Sequence, residues 1–187
     1  MKCLPTLLVL LSLATAARAA PAPAWTVDKA ASAVRFGSTM NGEAFSGAFR
    51  RWNADIRFDP ANLAGSSVTA TVDTASAATG DADRDQALPT AAFLAAAKFP
   101  TATFTARAFK DEGAGRYLAI GQLTLRGVSK PLTLPFTLAI TGAEARMKAS
   151  VALNRLAFGV GQDEWKATTA LPASVGVTIA IAARRKP

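Results

Sequence analysis

The chain has no histidine and a single cysteine, Cys3, in 187 residues. Without histidine it lacks the usual general base near neutral pH, the commonest metal ligand and every Ser–His or Cys–His nucleophile. Downstream of Cys3 there is no thiol for catalysis, zinc or a disulfide. No serine stands three residues before a lysine or in a Gly-x-Ser-x-Gly elbow, so two further nucleophile schemes are missing. Charged residues make up 18% of the chain, there is one tyrosine, and no apolar run reaches the roughly 18 residues of a membrane helix. These absences exclude most enzyme classes.

What is present begins with a leader. Met1 and Lys2 precede a short apolar stretch, and Ala17-Arg18-Ala19 offers the small residues that signal peptidase accepts. Residues 1–19 are expected to be a cleaved signal peptide, 20–24 a Pro/Ala spacer and 25–187 one domain. The mature protein is thus expected in the periplasm. About 165 residues bury an adequate core without disulfides. The full chain carries net +8; without Lys2 and Arg18 the balance is 19 basic against 13 acidic side chains. Basic residues are scattered singly except at Arg50-Arg51 and Arg184-Arg185-Lys186, with no basic helix or basic-aromatic platform. No nucleic-acid partner is expected.

The dominant period is two. Ala54, Ile56 and Phe58 alternate with Asp55, Arg57 and Asp59, and Ala102, Phe104 and Ala106 with Thr103, Thr105 and Arg107. The same holds from Leu132 to Ile140 and from Val175 to Ile181. Each run predicts a strand with one apolar face. Together with segments near 33–40, 44–52, 67–74, 117–126 and 145–154 they give about eight antiparallel strands, separated by turn signals such as Asn41-Gly42 and Thr141-Gly142. Closure into a barrel would protect the edges, and eight strands enclose either packed side chains or one small ligand. Small inward residues (Ala54, Ala70, Ala102, Ala106, Gly121) fit either a free volume or tight backbone packing. Pro135 inside an alternating run predicts an edge or a bulge.

One segment breaks the pattern. Residues 85–98, DQALPTAAFLAAAK, predict a short helix interrupted around Pro89, with Asp85 near its start. Leu118 and Ile120 lie opposite the inward face of their strand, which predicts a cover there, such as the helix. Asp81, Asp83 and Asp85 have the spacing that opens a calcium loop, but Gln86 and Ala92 stand where glycine and a bidentate glutamate are needed. No metal site, cofactor or catalytic residue is expected. Glu43, Asp55, Asp59, Asp163 and Glu164 read as solvated carboxylates.

The segment FDPANLAGSSVTATVDTASAATGDADRDQAL at 58–88 is followed by Lys98-Phe99-Pro100 with Thr103-Phe104, then GQLTLRGVSKPLTLPF, then Leu153-Asn154-Arg155 with Phe158-Gly159-Val160-Gly161 and Trp165. This order resembles the YceI-like family, secreted lipocalin-like barrels associated with polyisoprenoid binding. The resemblance implies an all-β fold, a single antiparallel eight-stranded barrel with a short helix between strands. It also implies a carrier for a long-chain isoprenoid, an isoprenoid quinone or a similar amphipathic lipid. Thr79, Gly80, Arg84 and Asp85 match a family motif, for which the resemblance implies a structural role beside the barrel mouth. A homodimer and transient contact with a membrane surface stay open.

Period two places Phe36, Phe49, Val72, Phe104, Leu123, Leu125, Leu134, Phe136 and Leu153 inside as an apolar lining. Leu88, Phe93, Phe158 and Trp165 would close one end. Two other readings stand beside the carrier. One is an enzyme that uses a carboxylate pair or Tyr117 on a lipid-like substrate. The other is a soluble partner of a quinone-linked membrane redox protein.

Overall fold

A computed structural model describes residues 20–187. The expected leader, residues 1–19, lies outside the described residues. The strands are β1 (Ala24–Met40), β2 (Glu43–Phe49), β3 (Trp52–Arg57), β4 (Ser67–Asp73), β5 (Ala77–Ala78), β6 (Thr101–Gly113), β7 (Arg116–Leu125), β8 (Val128–Thr141), β9 (Glu144–Asn154) and β10 (Ser174–Arg185). A short helix, α1 (Ala82–Ala87), follows β5. All pairings are antiparallel, and β1 pairs with both β10 and β3, which closes the sheet on itself. β2 and β3 are one strand broken at Arg50–Arg51, because both pair with β1 from opposite ends. With that pair counted once and the two-residue bridge β5 set aside, the ring has the eight strands expected.

Local chemistry explains the joints. Asn41 and Gly42 take φ of 51° and 86°, the left-handed pair that a two-residue hairpin turn needs between β1 and β2. At the break, Arg50 and Arg51 donate their N–H groups to the carbonyl and hydroxyl oxygens of Ser76, each at 3.0 Å. Leu138 donates its N–H to Gly115 on the β7 side, so two-residue periodicity points the nitrogen of Pro135 at β9. Proline has no N–H to give, and the β8–β9 ladder stops one residue earlier, at Phe136–Ala149. Pro135 therefore marks the end of one ladder, inside a strand still paired with β7.

Two expectations change. The helix begins at Ala82, three residues before the expected start, because Asp81 is the N-cap and accepts from the Arg84 N–H at 3.0 Å. Beyond Pro89 the chain makes turns, with Ala95 at φ 48°. Second, α1 does not cover the outer face of β7: among the described residues Ile120 is left 45% exposed there, and α1 packs beside β5. Residues 20–23 of the spacer are docked on the barrel. Ala22 is buried and donates to the Gly65 carbonyl at 2.9 Å, while Asn62 Nδ2 donates to the Ala20 carbonyl at 2.8 Å.

The inward face splits into three zones along the strands. At one end Trp25, Phe58, Tyr117, Phe136 and Ile181 pack together. Phe58 meets Phe109, Tyr117 and Phe136 edge-on at 5.3 to 5.8 Å between centroids. The Trp25 indole N–H donates to the Phe58 carbonyl at 2.9 Å, so this plug leaves no buried indole donor unmet. The middle zone is built on Ala106, Ala119, Leu134 and Ala149. The far zone holds Phe36, Ala77 and Leu94 with Phe49, Leu88, Leu125 and Val175 against them.

Candidate ligand cavity

Between the aromatic plug and the far zone the barrel encloses a cavity of about 590 Å³, within the roughly 300–1,000 Å³ of small-molecule sites. Its wall is apolar: Phe36, Phe49, Val72, Leu88, Phe93, Phe104, Leu123, Leu125, Leu134, Phe136, Leu153, Phe158 and Trp165 all line it. The structure thus brings together all thirteen residues taken from the sequence. Ala54, Ala70 and Ala102 also face the cavity, so their small size does leave volume there. Ala106 and Gly121 do not serve that end. Ala106 is 1% exposed, and a Cβ at Gly121 would collide with the Thr105 carbonyl oxygen. At those two positions the small residue lets backbones approach.

Several wall residues escaped the periodicity. Phe109 faces inward although Phe104 and Ala106 set the opposite parity, because a bulge between Ala106 and Ala108 shifts the strand by one. Trp25 and Trp52 join Trp165, so all three tryptophans of the chain lie on the wall. Polar side chains on the wall include Thr79, Asp83, Arg84 and Arg155. The first three cluster around α1, and Arg155 opens the loop after β9.

Two loops cap the α1 end and hold each other. Residues 79–99 and 155–173 meet where Gly161 and Gln162 both donate their N–H groups to the Ala92 carbonyl, at 2.9 and 2.8 Å. Phe93 and Trp165 pack with centroids 5.3 Å apart. The second loop is organised around Arg155, which is 3% exposed. Its guanidinium donates to the carbonyls of Pro172, Val160, Ala167 and Leu171 at 2.8 to 3.3 Å. Burial pulls its pKa down, but a guanidinium remains charged at any accessible pH. No sequence signal marked this arginine as buried beyond its place at a strand end before two glycines.

Asp81 and Asp85 have separate structural duties, while Asp83 is exposed. Asp81 caps α1. Asp85 accepts from the Thr79 N–H at 2.6 Å, the Thr79 hydroxyl at 2.8 Å and the Gly80 N–H at 3.2 Å. No group of acidic side chains able to hold a metal ion occurs among the described residues. The Thr79 hydrogen bonds hold the Asp85 carboxyl below the usual carboxylate range. Because the folded pKa lies below the unfolded one, this contribution is complete above the unfolded value of about 3.9 and is lost as pH falls through the folded pKa. Amide exchange at Thr79 and Gly80, followed by NMR, should therefore lose protection on acidification below about pH 4. Asp85→Asn should lose it already at neutral pH. Equal protection in the variant would show that Asp85 does not hold this loop.

The enzyme reading needs an inward acid or Tyr117. Asp83 is the carboxylate on the wall, and it is exposed. Tyr117 lies in the aromatic plug, stacked on Phe136 at 5.4 Å, and is not among the cavity-lining residues. Burial pushes its phenol up, away from a working range near neutral pH.

Comparison with known proteins agrees with this architecture. A solved structure of Burkholderia cenocepacia BcnA is 32% identical, covers 84% of this chain and 99% of its own, and superposes with a TM-score of 0.81. A polyisoprenoid binding domain from Saccharophagus degradans shares the fold at 15% identity, with a TM-score of 0.67 over 88% of this chain and 99% of its own. A UPF0312 protein of Vibrio cholerae is 34% identical over 119 residues, which are 64% of this chain and 53% of that protein. The chain thus spans about half the length of the curated relatives it matches. The model of the YceI-like domain matches residues 25–184, and the chain belongs to that family.

Proposed function

We propose that the protein is a periplasmic carrier that sequesters one long-chain apolar molecule, a polyisoprenoid, an isoprenoid quinone or a similar amphiphile, inside its barrel. The observation that carries this reading is the apolar cavity of about 590 Å³ with polar groups gathered at one end. Each methylene taken out of water contributes roughly 0.8 kcal/mol, so a chain of ten carbons gains about 8 kcal/mol before the costs of ordering it. No directional contact along the tail is needed for tight binding. The resemblance in fold to a polyisoprenoid binding domain supports the ligand class, and the leader-like residues 1–19 support the compartment.

Organic extraction of protein purified from its native host, followed by mass spectrometry, should find one amphiphile near one equivalent per chain. A preparation that is reproducibly lipid-free, and that also fails to take up any long-chain probe, would overturn the carrier reading.

A further inference from the structure

We infer that the barrel holds one straight chain of about four isoprene units, and that any further length, with the head group, lies outside its α1 end. The inference rests on the carrier reading above and adds capacity and direction to it.

The length of the wall sets the length of the chain. Wall residues span 132–140 on β8, 145–153 on β9 and 175–183 on β10. Cross-strand pairing puts Ala145 opposite both Ile140 and Ala183, and Leu153 opposite Val175. Three neighbouring strands therefore agree on one length, eight residue steps or about 27 Å along the strand. A tilt of about 35–45° leaves about 19–22 Å along the barrel axis. Single C–C bonds of about 1.5 Å meeting near 111° advance an extended chain by about 1.25 Å per carbon, so about sixteen backbone carbons fill that length.

The volume says how wide the chain is. An apolar cavity of about 150 Å³ takes one benzene, or about 25 Å³ for each carbon. At that density a straight methylene chain fills a bore of about 20 Å², a prenyl chain with its side methyls about 25 Å², and a linear chain doubled back about 40 Å². The cavity of about 590 Å³, spread over its length, has a mean bore of about 27–31 Å². One prenyl chain fits this bore and two passes do not, while a single linear chain leaves about a third of it empty. About sixteen backbone carbons, with a methyl on every fourth, make four isoprene units.

The two ends differ. Trp25, Phe58, Tyr117 and Ile181 pack across one end with Ala145, and the indole N–H is already paired there. Towards the other end, Asp83 of α1 is the exposed member of the wall. A fifth unit or a head group is thus left in water beside α1, where added carbons gain no burial.

The test titrates delipidated protein with prenols of two to five units: geraniol, farnesol, geranylgeraniol and geranylfarnesol. Hexadecan-1-ol and eicosan-1-ol are the linear counterparts. Trp25, Trp52 and Trp165 lie on the wall, so intrinsic fluorescence reads occupancy. Each unit up to the fourth should tighten binding by about tenfold or more, and the fifth by less than about threefold. Eicosan-1-ol has as many carbons as geranylgeraniol but runs to about 25 Å. It should bind no more tightly than hexadecan-1-ol, and about tenfold or more below geranylgeraniol.

A fifth unit that tightens binding as much as the fourth would overturn the inference, as would a plateau already at farnesol. Eicosan-1-ol that matches geranylgeraniol would overturn it too, because the bore would then not favour the branched chain. Each of these results leaves the carrier reading intact, since a long apolar molecule has still bound. Failure of all six alcohols to bind would remove both.

Discussion

Arg155→Met should lower the melting temperature by about 6–16 °C and loosen the cap over the α1 end of the barrel. Four carbonyls of the 155–173 loop, those of Val160, Ala167, Leu171 and Pro172, converge on this one guanidinium. Methionine keeps much of the apolar stem but supplies no donor, so the carbonyls must find water or stay unmet. At roughly 1–3 kcal/mol for each buried group, with partial relaxation, the loss amounts to about 3–4 kcal/mol. In a domain of this size 1 kcal/mol shifts the transition by about 2–4 °C. Lysine should rescue little, because three donors on one flexible nitrogen cannot span four carbonyls. Gly161→Ala should act in the same direction. Its φ is 88°, and a Cβ there would run into Arg155 Nη1. Since Trp165 packs on Phe93 across the two cap loops, Arg155→Met should also shift tryptophan emission to the red. A melting temperature within 2 °C of the parent would show that the loop does not depend on this arginine.

That arginine also shows where the sequence stops being readable. The strands β8, β9 and β10 were legible because each alternates without interruption, and the wall residues Leu134, Phe136 and Leu153 follow from their parity alone. Parity fails where a bulge intervenes. In β1 a shift between Asp28 and Ala33 falls in a stretch of small residues with no alternation to count. There the Asp28 carboxylate accepts from the N–H groups of Ala30 and Ala31 at 3.0 and 3.2 Å. The first half of that strand was consequently invisible, and Trp25 could not be placed on the wall. In β6 the bulge after Ala106 likewise hid Phe109. The helix start was available in principle, since an aspartate three residues before Arg84 is an ordinary N-cap. Ala-rich composition drew the expectation toward 85–98 instead. Buried Arg155 had no legible signal, because its partners are carbonyls, which every sequence has.

The volume of the cavity leads to the other large effect. Ala54 on β3, Ala70 on β4 and Phe104 on β6 face one another across adjacent strands, and both alanines look into open space along the wall. Ala70→Phe would put a benzyl group into that space. Small-to-large changes cost about 1–3 kcal/mol when they crowd a packed core, but here the ring fills a void, and the fold should keep its melting temperature to within a few degrees. The ring occupies room that a bound chain would otherwise use. Displacing about three methylenes costs roughly 2–3 kcal/mol, so the longest chains should lose about 30- to 150-fold in affinity. Chains short enough to end before Ala70 should bind as before. A series of saturated fatty acids from decanoate to eicosanoate, titrated by tryptophan fluorescence, reads the change as a shorter optimum length. Ile120→Trp is the matched control: it adds bulk on the outer face of β7, where Ile120 is 45% exposed, and should leave the length profile untouched. If Ala70→Phe folds and its length profile coincides with that of the parent, the chain does not run past β4, and the ligand must lie elsewhere in the barrel.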